Sequence, residues 1–152
     1  MTGSAGTVHA GAVRVGRHGV LVLGAPGSGK SSLILALIED PRQDAVLVAD
    51  DRVVLAAGTG LLARAPETIA GLIEVRGVGV VRRPYLAEAR IDLAVELRPI
   101  GDCPRLPAAA DLEVVLAGVT LPRLILPSGC HDASLRVRVA LGEWLPSAAA
   151  PA

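Results

Sequence analysis

The segment that most constrains this chain is Gly24-Ala25-Pro26-Gly27-Ser28-Gly29-Lys30-Ser31, which satisfies the pattern G-x-x-x-x-G-K-[ST]. It follows an apolar run at 19–24 (GVLVLG), of the kind a buried central strand requires. It precedes residues 30–40 (KSSLILALIED), which set Leu33, Ile34, Leu37 and Ile38 on one helical face before Pro41 stops the helix. A strand, a glycine loop and an amphipathic helix in that order predict a phosphate-binding loop in an α/β fold. The glycines let successive backbone N–H groups curl into an anion nest, and the helix N-terminus adds its partial positive charge. Lys30 can then reach the β- and γ-phosphates of a nucleotide, and Ser31 can ligate Mg²⁺. Lys30 is also the sole lysine among fifteen basic residues, so chance is a poor account of its position.

The rest of the chain reads as strands with few helices. Residues 8–15 predict a strand carrying His9, and residues 45–49 (AVLVA) predict another that runs into Asp50-Asp51. Residues 52–57 and 61–65 flank Gly58-Thr59-Gly60 as a hairpin would. A short helix is expected from Pro66 to Leu72, then strands at 73–76 and 91–97. Residues 99–110 (PIGDCPRLPAAA) predict an irregular loop. A hairpin over 113–119 and 121–126 and a helix over 133–145 close the pattern. The expected architecture is one P-loop domain over residues 1–145, a mixed α/β sheet with flanking helices, and a disordered tail over 146–152.

Composition excludes several functions. Fifteen basic and fifteen acidic residues give zero formal net charge. No basic block is present, and Trp144 and Tyr85 are the only aromatics, so neither the electrostatic footprint nor the stacking platform of a nucleic-acid binder is expected. No charge-free stretch reaches the ~18 apolar residues of a membrane span, and the first ten residues lack the features of a secretion signal. A cytoplasmic protein is expected. Cys103 and Cys130 form no CxxC and no disulfide framework.

Four further groups are candidates for chemistry. Asp50-Asp51 ends a strand where a P-loop nucleotide enzyme needs acidic groups. One carboxylate can face the metal while the other takes a proton from an attacking hydroxyl; a solvated turn before Arg52 is the plainer alternative. Glu74 interrupts an apolar run, and Arg76 two residues on would share its face of a strand. That pair suits a Mg²⁺ ligand and a phosphate clamp, or equally a surface salt bridge. His9 precedes the P-loop strand, where a lone histidine is commonly structural. Cys130-His131-Asp132 is consecutive, which argues against convergence on one point, and it receives no role.

Taken together, Val8-His9-Ala10, the loop at 24–31, residues 47–53 (LVADDRV) and residues 73–80 (IEVRGVGV) resemble the catalytic domain of bacterial HPr kinase/phosphorylase, in order and spacing. The resemblance spans residues 8–83 and is looser beyond. The resemblance implies a form like the compact alphaproteobacterial one, in which the family's N-terminal regulatory domain is expected to be missing. It implies a fold like that of phosphoenolpyruvate carboxykinase and ATP- and Mg²⁺-dependent phosphorylation of a serine on the phosphocarrier protein HPr. With that go control of carbohydrate and phosphotransferase-system metabolism and, by analogy, a hexamer.

Residue by residue, the resemblance implies ATP on Gly24, Ala25, Pro26, Gly27, Ser28, Gly29, Lys30, Ser31 and Ser32, and Mg²⁺ on Ser31 and Glu74. It matches His9 to an active-site histidine and puts the general base in the pair Asp50 and Asp51, with Asp50 taken as the proton acceptor. Lys30 and Arg76 would steady the transferred group, and Arg105 matches a loop arginine. The family's later Pro-Gly-Arg-Asn stretch, tied to phosphorolysis, has no counterpart in residues 126–131, so kinase activity is expected to exceed phosphorylase activity. A small-molecule kinase or NTPase, or a non-catalytic nucleotide sensor, would share the P-loop.

Overall fold

The computed structural model describes residues 6–42 and 44–146; all but the first residue of the expected tail lie outside them. Among the described residues, eleven strands and two α-helices follow one another as β1 (Gly6–Val8), β2 (Ala10–Val15), β3 (His18–Gly24), α1 (Lys30–Ile38), β4 (Ala45–Ala49), β5 (Val53–Gly58), β6 (Gly60–Arg64), β7 (Leu72–Val75), β8 (Gly79–Arg82), β9 (Ala89–Arg98), β10 (Glu113–Leu116), β11 (Val119–Pro127) and α2 (Ala133–Trp144). The main sheet runs in the order β1-β5-β6-β9-β3-β2-β4, with β11 also beside β9 and β10 beside β11. β3 and β11 each pair with β9 in parallel, whereas the other pairs are antiparallel. The mixed α/β architecture is thus the one the sequence predicts.

Alternation along β3 explains its place at the centre. Val20 and Val22 enter a core shared with α1 and α2, while Leu21 enters a second core on the other side of the sheet. Side chains on a strand alternate between faces, so a strand that is apolar throughout must be covered on both. Leu33, Ile34 and Leu37 of α1 are buried against this sheet, each contributing about 1.5–3 kcal/mol by removal from water. Beyond its last turn, Asp40 accepts a hydrogen bond from Arg42 Nε at 3.2 Å and pairs with Arg138 of α2, tying the two helices together.

The hydrogen bonds from Arg42, with a smaller contribution from Arg138, hold the Asp40 carboxyl at about 2, below its ordinary 3.8. A depressed carboxyl stabilises the folded state above the unfolded value, and that contribution is lost as pH falls through the folded one. Between pH 5 and pH 2 the melting temperature of the wild type is therefore expected to fall more steeply than that of Asp40→Asn. Parallel curves would show that this carboxylate contributes nothing.

Four local readings change. The first strand breaks at His9, which lies in an exposed bend between β1 and β2. The helix expected after Pro66 is a single 3-10 turn, Glu67–Ile69. The strand carrying Glu74 ends at Val75 because residues 76–78 form the turn of a β7–β8 hairpin, a separate two-stranded sheet. Arg76 is consequently a turn residue, the shared-face argument fails, and no Glu74–Arg76 ion pair is among those of the described residues. The loop after β9 carries two short 3-10 turns, pinned where Arg123 donates to the carbonyls of Asp111 and Ala110.

Candidate active site

Parallel pairing decides where the site lies. β3, β9 and β11 point the same way, and β4, antiparallel to β2 as β2 is to β3, points with them. Four C-terminal strand ends therefore meet at one edge, where open α/β sheets bind their ligands. From these ends emerge the phosphate loop, the Asp50-Asp51 turn, the proline-rich loop and residues 128–132. Ser128 N donates to Arg98 O at 2.7 Å, which joins the last two.

The phosphate loop is shaped for an anion. Gly29 caps α1 at φ 101°, a left-handed conformation that a Cβ would strain. At Gly24 a Cβ would lie 2.4 Å from Ser28 Oγ, so no larger residue fits there without displacing the loop. The first helical bond runs from Leu33 N to Gly29 O, which leaves the N–H groups of the first turn free of intrahelical partners. Lys30 Nζ donates to Gly24 O at 2.7 Å and Ala25 O at 3.0 Å, laying the ammonium across the loop.

Asp50 organises the other wall. It is only 5% exposed, and both its oxygens are engaged. Oδ1 accepts the Ser31 hydroxyl at 2.6 Å, and Oδ2 accepts the Glu74 N–H at 3.2 Å. A buried carboxylate is tolerated when hydrogen-bonded in this way. With its proton given to Asp50, Ser31 Oγ keeps its lone pairs for a cation. Asp51, by contrast, is exposed and held at φ 70° by the turn in which Arg52 N donates to Asp50 O at 2.8 Å. Ser31, Asp50 and the Glu74 backbone N–H thus form one hydrogen-bonded cluster, with Asp51 beside it in the turn, and among the described residues no group of three or more His, Cys, Asp or Glu side chains is gathered as a metal site would need.

His9 follows directly on the Val8–Val53 pair and precedes the Ala10–Leu23 pair, so the register sets it beside both the Asp50-Asp51 turn and the start of the phosphate loop. Arg76 stands at the tip of the β7–β8 hairpin. Arg105 lines a groove of about 430 Å³ between the proline-rich loop, β11 and α2, which no phosphate-loop residue lines. The structure therefore does not bring Arg105 into the cluster. It does set beside the phosphate loop two residues to which sequence reasoning gives no role. Cys130 Sγ donates to Asp132 Oδ1 at 2.7 Å, and Cys130 and His131 line a cavity that also touches Ser28, Gly29 and Ser32. Burial raises the Cys130 thiol above its ordinary value.

Donor chemistry fits the groups a phosphate loop implies. Magnesium keeps several waters and needs few protein ligands, so Ser31 Oγ, whose hydrogen points to Asp50, fits as one of them. Ser28 Oγ, also in the loop, is buried against Gly24 without a hydrogen-bond partner.

Fold and site together define a mixed α/β P-loop domain. Residues 3–127 match the family model described as HPr Serine kinase C-terminal domain, and the chain belongs to that family. Relatives include the HPr kinase/phosphorylase of Caldicellulosiruptor bescii, 34% identical over 133 residues, and that of an Azoarcus species, 38% identical over 122. These alignments cover 80% and 72% of this chain but only 42% and 38% of the relatives. Among solved structures, the Hpr(Ser) kinase/phosphatase from Coxiella burnetii shares the fold with a TM-score of 0.75 at 23% identity, covering 90% of this chain and 88% of that one. No helix among the described residues is long and apolar enough to cross a membrane.

Proposed function

We propose that this domain transfers the γ-phosphoryl group of ATP to a serine of the phosphocarrier protein HPr. The observation that carries the reading is the Ser31–Asp50–Glu74 contact set beside an exposed Asp51, at the mouth of a glycine-rich phosphate loop. The names of the relatives support HPr as acceptor.

The residues divide the work by position. Backbone N–H groups of the loop and Lys30 bind and orient the phosphates, so that the γ-phosphorus faces the carboxylate turn. Bound Mg²⁺ supplies neutralisation of phosphate charge, and Ser31 with Glu74 would hold it. Asp50 fixes the Ser31 hydroxyl and the β7 backbone with one hydrogen bond to each oxygen, a positioning task carried out at 5% exposure, away from an incoming serine. Asp51 rather than Asp50 is then the base: it takes the serine proton as the serine oxygen bonds to the γ-phosphorus and ADP leaves with the bridging oxygen. His9 sits close enough in register to orient that exchange, and Arg76 can lean from its hairpin over the transferred group.

Release of ADP should depend on HPr, be lost with HPr lacking its phosphorylatable serine, and not be replaced by small hydroxyl-bearing acceptors. Turnover with a small acceptor alone would instead indicate a small-molecule kinase. Glu74→Gln is expected to raise the Mg²⁺ concentration for half-maximal rate, because a neutral amide replaces a carboxylate at nearly constant volume. A magnesium titration identical to the wild type would leave Glu74 a plain surface residue.

A further inference from the structure

The β7–β8 hairpin is a sheet of its own, so no ladder of backbone hydrogen bonds fixes it to the strands that carry the phosphate loop and Asp50. An isolated two-stranded hairpin is marginally stable in water. Its Glu74 N–H nevertheless meets Asp50 Oδ2 at 3.2 Å, while the Ser31 hydroxyl donates to Oδ1 of the same carboxylate. Burial sets part of this placement. Ile73, only 1% exposed, and its cross-strand partner Val81 pack into the core shared with α1 and α2.

The base of the hairpin is tied more closely. Arg83 N donates to Gly71 O at 2.9 Å, one step beyond the Leu72–Arg82 pair, and Arg83 Nε donates to Glu39 Oε1 at 2.5 Å at the end of α1. Tyr85 then lays its ring on Gly71, where a Cβ would lie 2.8 Å from Tyr85 Cδ1 and 3.1 Å from Cε1. The backbone of the same tyrosine belongs to the outer edge of β4. Tyr85 forms a parallel bridge with Leu47, and Leu86 N donates to Leu47 O at 2.9 Å, covering that edge just ahead of Asp50.

We propose that Tyr85 is a positioning residue for the phosphate site. Its backbone is tied to β4, which leads into Asp50, and its ring rests on the glycine that opens β7, which brings Glu74. Both partners of the Asp50–Glu74 hydrogen bond are thereby referred to one residue, and through Asp50 so is the Ser31 hydroxyl. The proposal rests on the reading of Ser31 and Asp50 as one wall of an ATP site. Tyr85 is the sole tyrosine of the chain and is 49% exposed, so its ring does little to fill the core. What it supplies is the contact with Gly71. Such a contact matters to chemistry because a misplacement of about 1 Å, caused far from the reacting atoms, can cost about 10²-fold in rate.

Amide exchange of the nucleotide-free and metal-free protein tests this positioning. Tyr85→Ala should speed exchange of the Glu74 N–H by roughly tenfold through local opening, with the β9 amides at the sheet centre unchanged. Tyr85→Phe should match the wild type, because the contact is made by ring carbons. In HPr phosphorylation, Tyr85→Ala should lower kcat by about tenfold and leave the KM for ATP unchanged. Combined with Asp50→Asn it should lower kcat no further, since both changes act through one carboxylate. Unchanged Glu74 exchange, exchange raised equally in β9, or full additivity with Asp50→Asn would overturn the proposal. Absence of transfer by the wild type would overturn the kinase reading alone, because the exchange measurement needs neither nucleotide nor acceptor.

Discussion

Lys30→Ala is expected to abolish phosphoryl transfer and to weaken ATP binding by roughly thirtyfold or more, since losing one member of a desolvated charge pair costs about 2–5 kcal/mol. Lys30 is the sole lysine in the chain, and its ammonium already lies over the loop through Gly24 O and Ala25 O. An arginine elsewhere cannot substitute, because its broader planar head needs a different approach to the nest. Fold stability should change little: the two carbonyls sit at a partly exposed loop where water can replace the ammonium. Calorimetric ATP affinity equal to the wild type would remove the phosphate loop from the account.

The second large effect separates the two adjacent carboxylates. Asp51→Asn is expected to lower the transfer rate by about 10²–10⁴, the usual contribution of a positioned general base, with ATP affinity and melting temperature retained. Asp50→Asn should behave differently. An amide nitrogen in place of either oxygen would meet the Glu74 N–H or disturb the Ser31 hydroxyl, leaving a buried donor unpaired at about 1–3 kcal/mol. Melting temperature should drop, and the Mg²⁺ requirement should rise with it. If Asp50→Asn lost only rate while Asp51→Asn were silent, the two roles would be exchanged.

These roles show what a linear pattern can and cannot carry. The P-loop, its strand and its helix were legible because each depends on local chemistry: glycines where the backbone curls, apolar periodicity on both sides, proline at the stop. The partition between Asp50 and Asp51 was not. Adjacent carboxylates look alike in sequence, and only the β4 end and the Glu74 backbone decide which is buried. Periodicity carries the strand on to Arg76, whereas the hairpin turn begins one residue earlier, at the Val75–Gly79 closing pair. His9 was placed on a strand because the apolar alternation runs through it, whereas its neighbours pair with different strands on either side. The Cys130-His131 cavity was invisible for a related reason. Opposite α1, its walls come from Leu97 and from residues 127–134, far downstream of the loop and joined to it by the parallel order of β3, β9 and β11.

Transfer of a phosphoryl group to a protein serine is the activity proposed for this domain. The most direct measurement is intact-mass and fragment analysis of purified HPr after incubation with the full chain, ATP and Mg²⁺. One added phosphoryl group is expected, localised to a single serine, absent without ATP and absent with Lys30→Ala. HPr that stays unmodified while the same preparation binds ATP tightly would contradict it, and would leave the domain a nucleotide-binding module.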